Sequence, residues 1–150
     1  MSAPFTKQFG ERIVAIKTDI KVSQAYDAQR MSGIPHPPYE SCSAIWDTGA
    51  MNTVITPDIA SILGLKSLGY VKMQHANGES LVNTYMINLL LPNKMEVQTL
   101  FVMEGDMADT DVLIGMDVIT MCDFALTNKD GTSVFSFDIP SSHVTDYTKH

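Results

Sequence analysis

Asp47-Thr48-Gly49-Ala50 is the stretch of this sequence best suited to chemistry. A carboxylate, a hydroxyl and a glycine follow one another directly after the apolar stretch Ser43 to Trp46. A carboxylate projecting from a strand end can act as a general acid or base. Gly49 lets the backbone turn or approach a ligand closely. An ordinary polar turn has the same composition. From average residue usage, such a string arises about once per hundred chains of this length. The other reactive side chains offer less. Cys42 and Cys122 are too few for a disulfide framework and read as small buried groups. His36, His75, His143 and His150 lack zinc-ligand spacing, and His75 reads as a solvated strand residue. Asp106, Asp109 and Asp111 lack the glycine and terminal glutamate of a calcium loop. No metal and no cofactor is therefore expected. Asp111 is expected to make a local structural bond.

The elements that must position Asp47 read mostly as strands. At 150 residues, 45% hydrophobic and 18% charged, the chain suits one domain, 1–150, with a packed core. The ten methionines are expected mainly in that core. The formal charge of -7, without a Lys/Arg cluster, argues against nucleic acid as a partner. No segment reads as a signal peptide or a membrane span, so a cytoplasmic protein is expected.

Alternation predicts a first strand over Arg12–Ile20, and the core is expected over about 12–137. The stretch 21–41 reads as a long loop, because Pro35, Pro37 and Pro38 fix φ and remove backbone donors. That loop could cap a cleft, join an interface, or do neither. Ser43–Trp46 is a short strand leading into Asp47. Thr56, Pro57 and Asp58 start a helix whose apolar face is Ile59, Ile62 and Leu63, and Gly64 ends it. Val71–His75 and Ser80–Leu91 pair around Ala76-Asn77-Gly78-Glu79, since Asn-Gly is a strong hairpin signal. Met95–Met103 returns as a strand with Met95, Val97, Thr99 and Phe101 on one side. Val112-Leu113-Ile114 reads as a buried strand, and Met116–Cys122 as a helix of about two turns. Phe124–Phe137 forms a last hairpin, and 140–150 is a polar tail expected to fray. The fold class is all-β, with one or two short helices and turns every ten residues or so, as in a small closed barrel.

The order of these features resembles the retropepsin-like aspartic proteases. The resemblance spans about Arg12 to Phe137. It is carried by Ile45-Trp46-Asp47-Thr48-Gly49-Ala50 and by Val112-Leu113-Ile114-Gly115-Met116-Asp117. It implies a small closed acid-protease barrel with a flap hairpin. It also implies that Asp47 is the catalytic aspartate and that Thr48 ties two active-site loops together across a dimer. Gly49 and Ala50 would present backbone to substrate. Ala76, Asn77 and Gly78 would form the flap tip, and Ile114-Gly115 would pack beneath the Asp47 loop. The chain holds one Asp-Thr-Gly triplet, so the likeness implies a homodimer acting on a peptide or protein substrate. Two facing carboxylates would share one proton and activate a water, a pattern known for aspartic proteases. The sequence departs from the retroviral pattern at Met51-Asn52, at Met116-Asp117 and in having one flap glycine, Gly78. The alternative is a non-catalytic dimeric peptide-binding module on the same fold, since a fold alone does not establish activity. A structural domain within a larger particle is a third option.

Overall fold

A computed structural model describes residues 3–149, the side chain of His75 excepted. The chain runs β1 (Ala3–Gln8), β2 (Ile16–Gln24), β3 (Glu40–Trp46), β4 (Val54–Ile55) and α1 (Pro57–Ile62). It continues through β5 (Tyr70–His75), β6 (Gly78–Leu90), β7 (Glu96–Glu104), β8 (Val112–Ile114) and α2 (Met116–Ile119). It closes with β9 (Asp123–Thr127), a single 3-10 turn at Lys129–Gly131, and β10 (Val134–Ile139). Strand pairing follows the order β2-β3-β8-β4-β7-β6, and β6 pairs back with β2. Six strands thus form a closed ring, and β5 extends from β6 beyond it. The fold is all-β with two short helices, as expected. Among the described residues no helix is long and apolar enough to cross a membrane.

Alternate residues fill the ring. Ile20 and Val22 of β2, Cys42, Ala44 and Trp46 of β3, Val112 and Ile114 of β8, and Tyr85, Ile87 and Leu89 of β6 are buried. Most of their strand neighbours face outward, as a period of two requires; Ser23, Thr84 and Asn88 are buried exceptions. A second sheet, β1-β10-β9, lays Phe124, Phe135 and Phe137 against Trp46, with ring centroids 5.0–6.2 Å apart.

Several boundaries differ from the sequence reading. The first predicted strand starts at Ile16, not Arg12, and runs on to Gln24. Lys17, Asp19 and Lys21 are its outward positions, so they hide a pattern that continues inward through Thr18, Ile20 and Val22. The loop is therefore 25–39 instead of 21–41. It leaves the β2–β3 pair at the end opposite Asp47. Seven residues of β3 separate its end from Asp47, about 23 Å at the usual strand rise. The loop does not cap the Asp47 loop. The core extends back before residue 12, because β1 pairs with β10 from Ala3↔Ile139 to Gln8↔Val134. Only Phe5 in β1 is a large apolar residue, which leaves little hydrophobic signal.

Thr56 caps α1 by accepting from Ile59 N–H at 3.4 Å. Ile59 and Ala60 face the core, but Ile62 is 60% exposed at the rim. α2 is one turn, shorter than the two expected. The predicted face of β7 is broken. Thr99 adopts a φ of 49° and the β6–β7 register shifts between Ile87 and Leu89. Val97 and Val102 point inward while Phe101 is 39% exposed. Asn88, fully buried, fills the irregularity by accepting from Thr99 N–H at 2.9 Å and Tyr26 N–H at 3.0 Å. None of the described methionines is fully buried, because β-branched and aromatic side chains occupy the core instead. Part of the tail is fastened. Asp123 accepts from Ser142 N–H at 2.8 Å and pairs with His143 at 2.9 Å. The Ser141 hydroxyl, the Ser142 N–H and the His143 charge hold the Asp123 carboxyl down at about 2.

Candidate active site

The Asp47 loop is held from both ends. Trp46, buried among the three phenylalanines, donates its indole N–H to Thr18 Oγ1 at 2.9 Å. That fixes the residue immediately before Asp47. The Asp47 N–H donates to Ile114 O at 2.8 Å, extending the parallel β3–β8 ladder by one bond. Ala50 N–H returns to Asp47 O at 3.2 Å, which closes the turn. Gly49 N–H donates to Asp47 Oδ1 at 2.8 Å. A Cβ on Gly49 would lie 3.1 Å from that oxygen, so a glycine suits the tight approach. Asp47 and Ala50 are half-buried, whereas Thr48 and Gly49 are exposed. Among the described residues, Asp47 Oδ2 and the Thr48 hydroxyl have no hydrogen-bond partner.

The β8–α2 corner supports the loop from beneath. Met116 N–H donates to Ala50 O at 2.7 Å, and Asp117 N–H to Met51 O at 3.1 Å. A Cβ on Gly115 would lie 2.7 Å from the Asn52 carbonyl and 2.9 Å from Ala50 O. Only a glycine allows the two chain segments to come this close. Asp117 does not begin a second triplet. Its carboxylate instead accepts from Thr53 N–H and Thr53 Oγ1–H, each at 2.8 Å. Thr53 Oγ1 also accepts from Gly115 N–H at 3.3 Å. Sequence reasoning missed Thr53. Its only signal is a threonine three residues after Ala50, which resembles any strand residue. Asp111 makes the structural bond expected of it, accepting from Ser43 N–H at 2.9 Å.

Beside Asp47 lies an apolar row. The partners Ile45↔Leu113, Leu113↔Val54 and Val54↔Met103 run across β3, β8, β4 and β7. All four side chains are half-buried, while Ala44, Trp46, Val112, Ile114, Ile55 and Val102 beside them are buried. The four therefore share the outer face of the ring. Asp47 lies two residues beyond Ile45, in phase with this row.

The hairpin residues lie elsewhere in the chain. His75 pairs with Gly78, so Ala76-Asn77 is a two-residue connection, and the positive φ of 116° falls on Gly78. Ala76, Asn77 and Gly78 are exposed. Two strands, β4 and β7, separate their sheet position on β6 from β8. Hydrogen bonds and the close approach at Gly115 thus unite Asp47, Gly49, Ala50, Ile114 and Gly115. The reading of His75 as a solvated side chain falls outside the described residues. The two cysteines are buried and free. Burial, with nearby carboxylates, pushes the Cys42 thiol up to about 12 and the Cys122 thiol up to about 11, so both stay protonated. Among the described residues no three His, Cys, Asp or Glu side chains are grouped to hold a metal ion. A cavity of about 920 Å³, lined by Phe5, Ile20, Cys42 and Leu91, does not include Asp47.

The family described as "gag-polyprotein putative aspartyl protease" matches residues 40–121, more than half of the chain. No curated protein matches in sequence. Among solved structures, the chain is similar to a retropepsin-like aspartic protease from Rickettsia conorii, with a TM-score of 0.54 and 14% identity. That similarity covers 93% of this chain and 97% of the other. At this identity the likeness speaks for the fold. With the two matched blocks hydrogen-bonded into one unit, the chain belongs to the gag-polyprotein aspartyl protease family and has a retropepsin-like fold.

Proposed function

We propose that the protein is an aspartic endopeptidase that works as a homodimer, with water activated between two copies of Asp47. One observation carries the reading. A rigidly held, exposed turn presents Asp47 Oδ2 and the Thr48 hydroxyl with no partner among the described residues. A second copy of the same turn would satisfy both. The paired carboxylates would share one proton, because two like charges at close range ionise unequally, the aspartic proteases being the familiar case. The ionised carboxylate takes a proton from the water, which attacks the peptide carbonyl. The protonated one donates its proton to the developing oxyanion. As the C–N bond breaks, the proton taken from the water passes to the leaving amine and the diol hydroxyl returns its proton to the pair. Thr48 ties the turns together, and Gly49 and Ala50 present backbone to the substrate. Ala76, Asn77 and Gly78 close over it as a flap. The row Ile45, Leu113, Val54 and Met103 favours apolar substrate side chains near the scissile bond.

The outer edge of β9 supports dimerisation. Among the described residues β9 pairs only with β10, so one edge keeps unpaired backbone groups that a second chain can take.

The test compares wild type with Asp47→Asn on a denatured protein and a mixed peptide pool between about pH 4 and 7, the carboxylate titration region. Asp47→Asn is expected to lose at least about a hundredfold in rate, the scale of general acid–base catalysis. Equal cutting by both overturns the reading. Peptide binding without cleavage by either supports the alternative, a non-catalytic dimeric binding module. Sedimentation showing a strict monomer at high concentration removes the homodimer.

A further inference from the structure

We propose that Ile34–Tyr39 is a docking ridge in polyproline II conformation for a partner protein that carries an aromatic-lined, proline-binding groove. Its sequence leaves the backbone little choice. The rings of Pro35, Pro37 and Pro38 lock φ near -65°. Each residue before a proline, here Ile34, His36 and Pro37, is pushed out of the helical region. Ile34, His36 and Pro37 are thereby directed to extended backbone, and residues 35–39 form neither helix nor strand. Polyproline II has three residues per turn, so Pro35 and Pro38 share one side. Both are exposed, while His36 and Pro37 between them are half-buried. Ile34, 53% exposed, precedes the two prolines, and Tyr39, on the His36 side, is 36% exposed. Aromatic grooves read this pattern of two prolines three apart.

The buried side of the ridge is clasped to the ring. His36 Nε2 meets Glu96 Oε1 at 2.8 Å, and the Tyr39 hydroxyl donates to Glu96 Oε2 at 2.6 Å. His36 Nδ1 meets Pro37 O at 2.6 Å. The Tyr26 hydroxyl donates to Ile34 O at 2.7 Å. The rings of Tyr26 and Tyr39 lie 4.7 Å and 4.6 Å from that of His36. Asn88 donates to Glu96 Oε1 and to Tyr26 O. A ridge held this way loses little conformational freedom on docking, which favours affinity. It stands at the end of β2–β3 remote from Asp47, so an occupied ridge leaves the Asp47 face open. The inference does not depend on the proteolytic reading.

The experiment titrates the isotope-labelled full chain separately with a purified WW, SH3 and EVH1 domain and follows its amide resonances. At least one domain is expected to bind saturably and to shift Ile34, His36 and Tyr39, leaving Thr48 and Gly49 unmoved. Pro35→Ala and Pro38→Ala are each expected to weaken that binding at least tenfold without changing the unfolding midpoint. Glu96→Gln, which loosens the clasp but leaves the ridge residues intact, is expected to weaken it several-fold. No binding by any of the three domains at about millimolar concentration, the weak end of specific association, overturns the proposal. So does binding that survives both proline substitutions.

Discussion

Asp117 grips Thr53 with both carboxylate oxygens, one on the backbone N–H and one on the hydroxyl, each at 2.8 Å. This clamp joins the segment that leaves the Asp47 turn to the helix that supports it from below. Thr53 is fully buried, so water cannot replace a lost partner. Asp117→Ala is expected to destabilise the protein by about 2–3 kcal/mol, the scale for hydrogen bonds to a charged group. Asp117→Asn, which keeps one acceptor, should cost less. Urea unfolding midpoints measure both, and equal midpoints for Asp117→Ala and wild type would refute the clamp.

Gly115→Ala tests the close approach. Its new methyl group would collide with backbone of Asn52 and Ala50, which cannot rotate away as a side chain can. Overpacking of this kind costs about 1–3 kcal/mol or more. On the proposed function, peptidase activity should fall beyond what the loss of stability explains, because the displaced atoms belong to the Asp47 turn. Thermal unfolding and cleavage rate measured on one preparation separate the two effects.

Trp46 joins core packing to the site. Trp46→Ala removes a buried aromatic from between the two sheets and should cost about 3–5 kcal/mol. Trp46→Phe keeps most of the packing but strands the Thr18 hydroxyl, at about 1 kcal/mol. An order of midpoints other than wild type, then Phe, then Ala would count against this account.

The 25–39 loop should respond to pH. The bond to Glu96 raises the His36 pKa, against the opposing effect of burial, with the Pro37 carbonyl adding to the rise. Burial alone would raise the Glu96 carboxyl, but hydrogen bonds from Tyr39, His36 and Asn88 outweigh it and lower that pKa. The Tyr39 hydroxyl, pushed up to about 12 by burial and by Glu96, stays protonated throughout. The His36 contribution is complete below about 6.5, the unfolded value, and is lost as pH rises through the raised folded value. The Glu96 contribution is complete above the ordinary glutamate range and is lost as pH falls through the lowered folded value. The clasp is therefore strongest between these limits. With both groups partly exposed to water, about 1 kcal/mol or less is at stake. His36→Gln should abolish the loss of stability on the alkaline side, read from unfolding free energies between about pH 4 and 9. An unchanged pH profile would refute the clasp.

Much of the site was legible because short-range chemistry specifies it. Thr56, Pro57 and Asp58 start α1 by local capping, and Gly78 takes the positive φ of its hairpin. Val112 and Ile114 are apolar because both are buried. What failed depended on distant partners. Lys17, Asp19 and Lys21 hid the length of β2, and polar β1 is a strand only because β10 pairs with it. The left-handed Thr99 that breaks β7 rests on the Asn88 side chain, eleven residues away.

By itself, then, the sequence determined the Asp47-Thr48-Gly49 turn, the close approach that Gly115 permits, and a segment at Pro35, Pro37 and Pro38 that is neither helix nor strand. In each case the constraint is steric or covalent and is set by the residues named. Only the tertiary structure decided that β6 closes on β2, that Asp117 clamps Thr53 across sixty-four residues of chain, and that the 25–39 loop stands away from Asp47. Those outcomes rest on which buried donors and acceptors meet, and chain spacing alone does not encode that pairing.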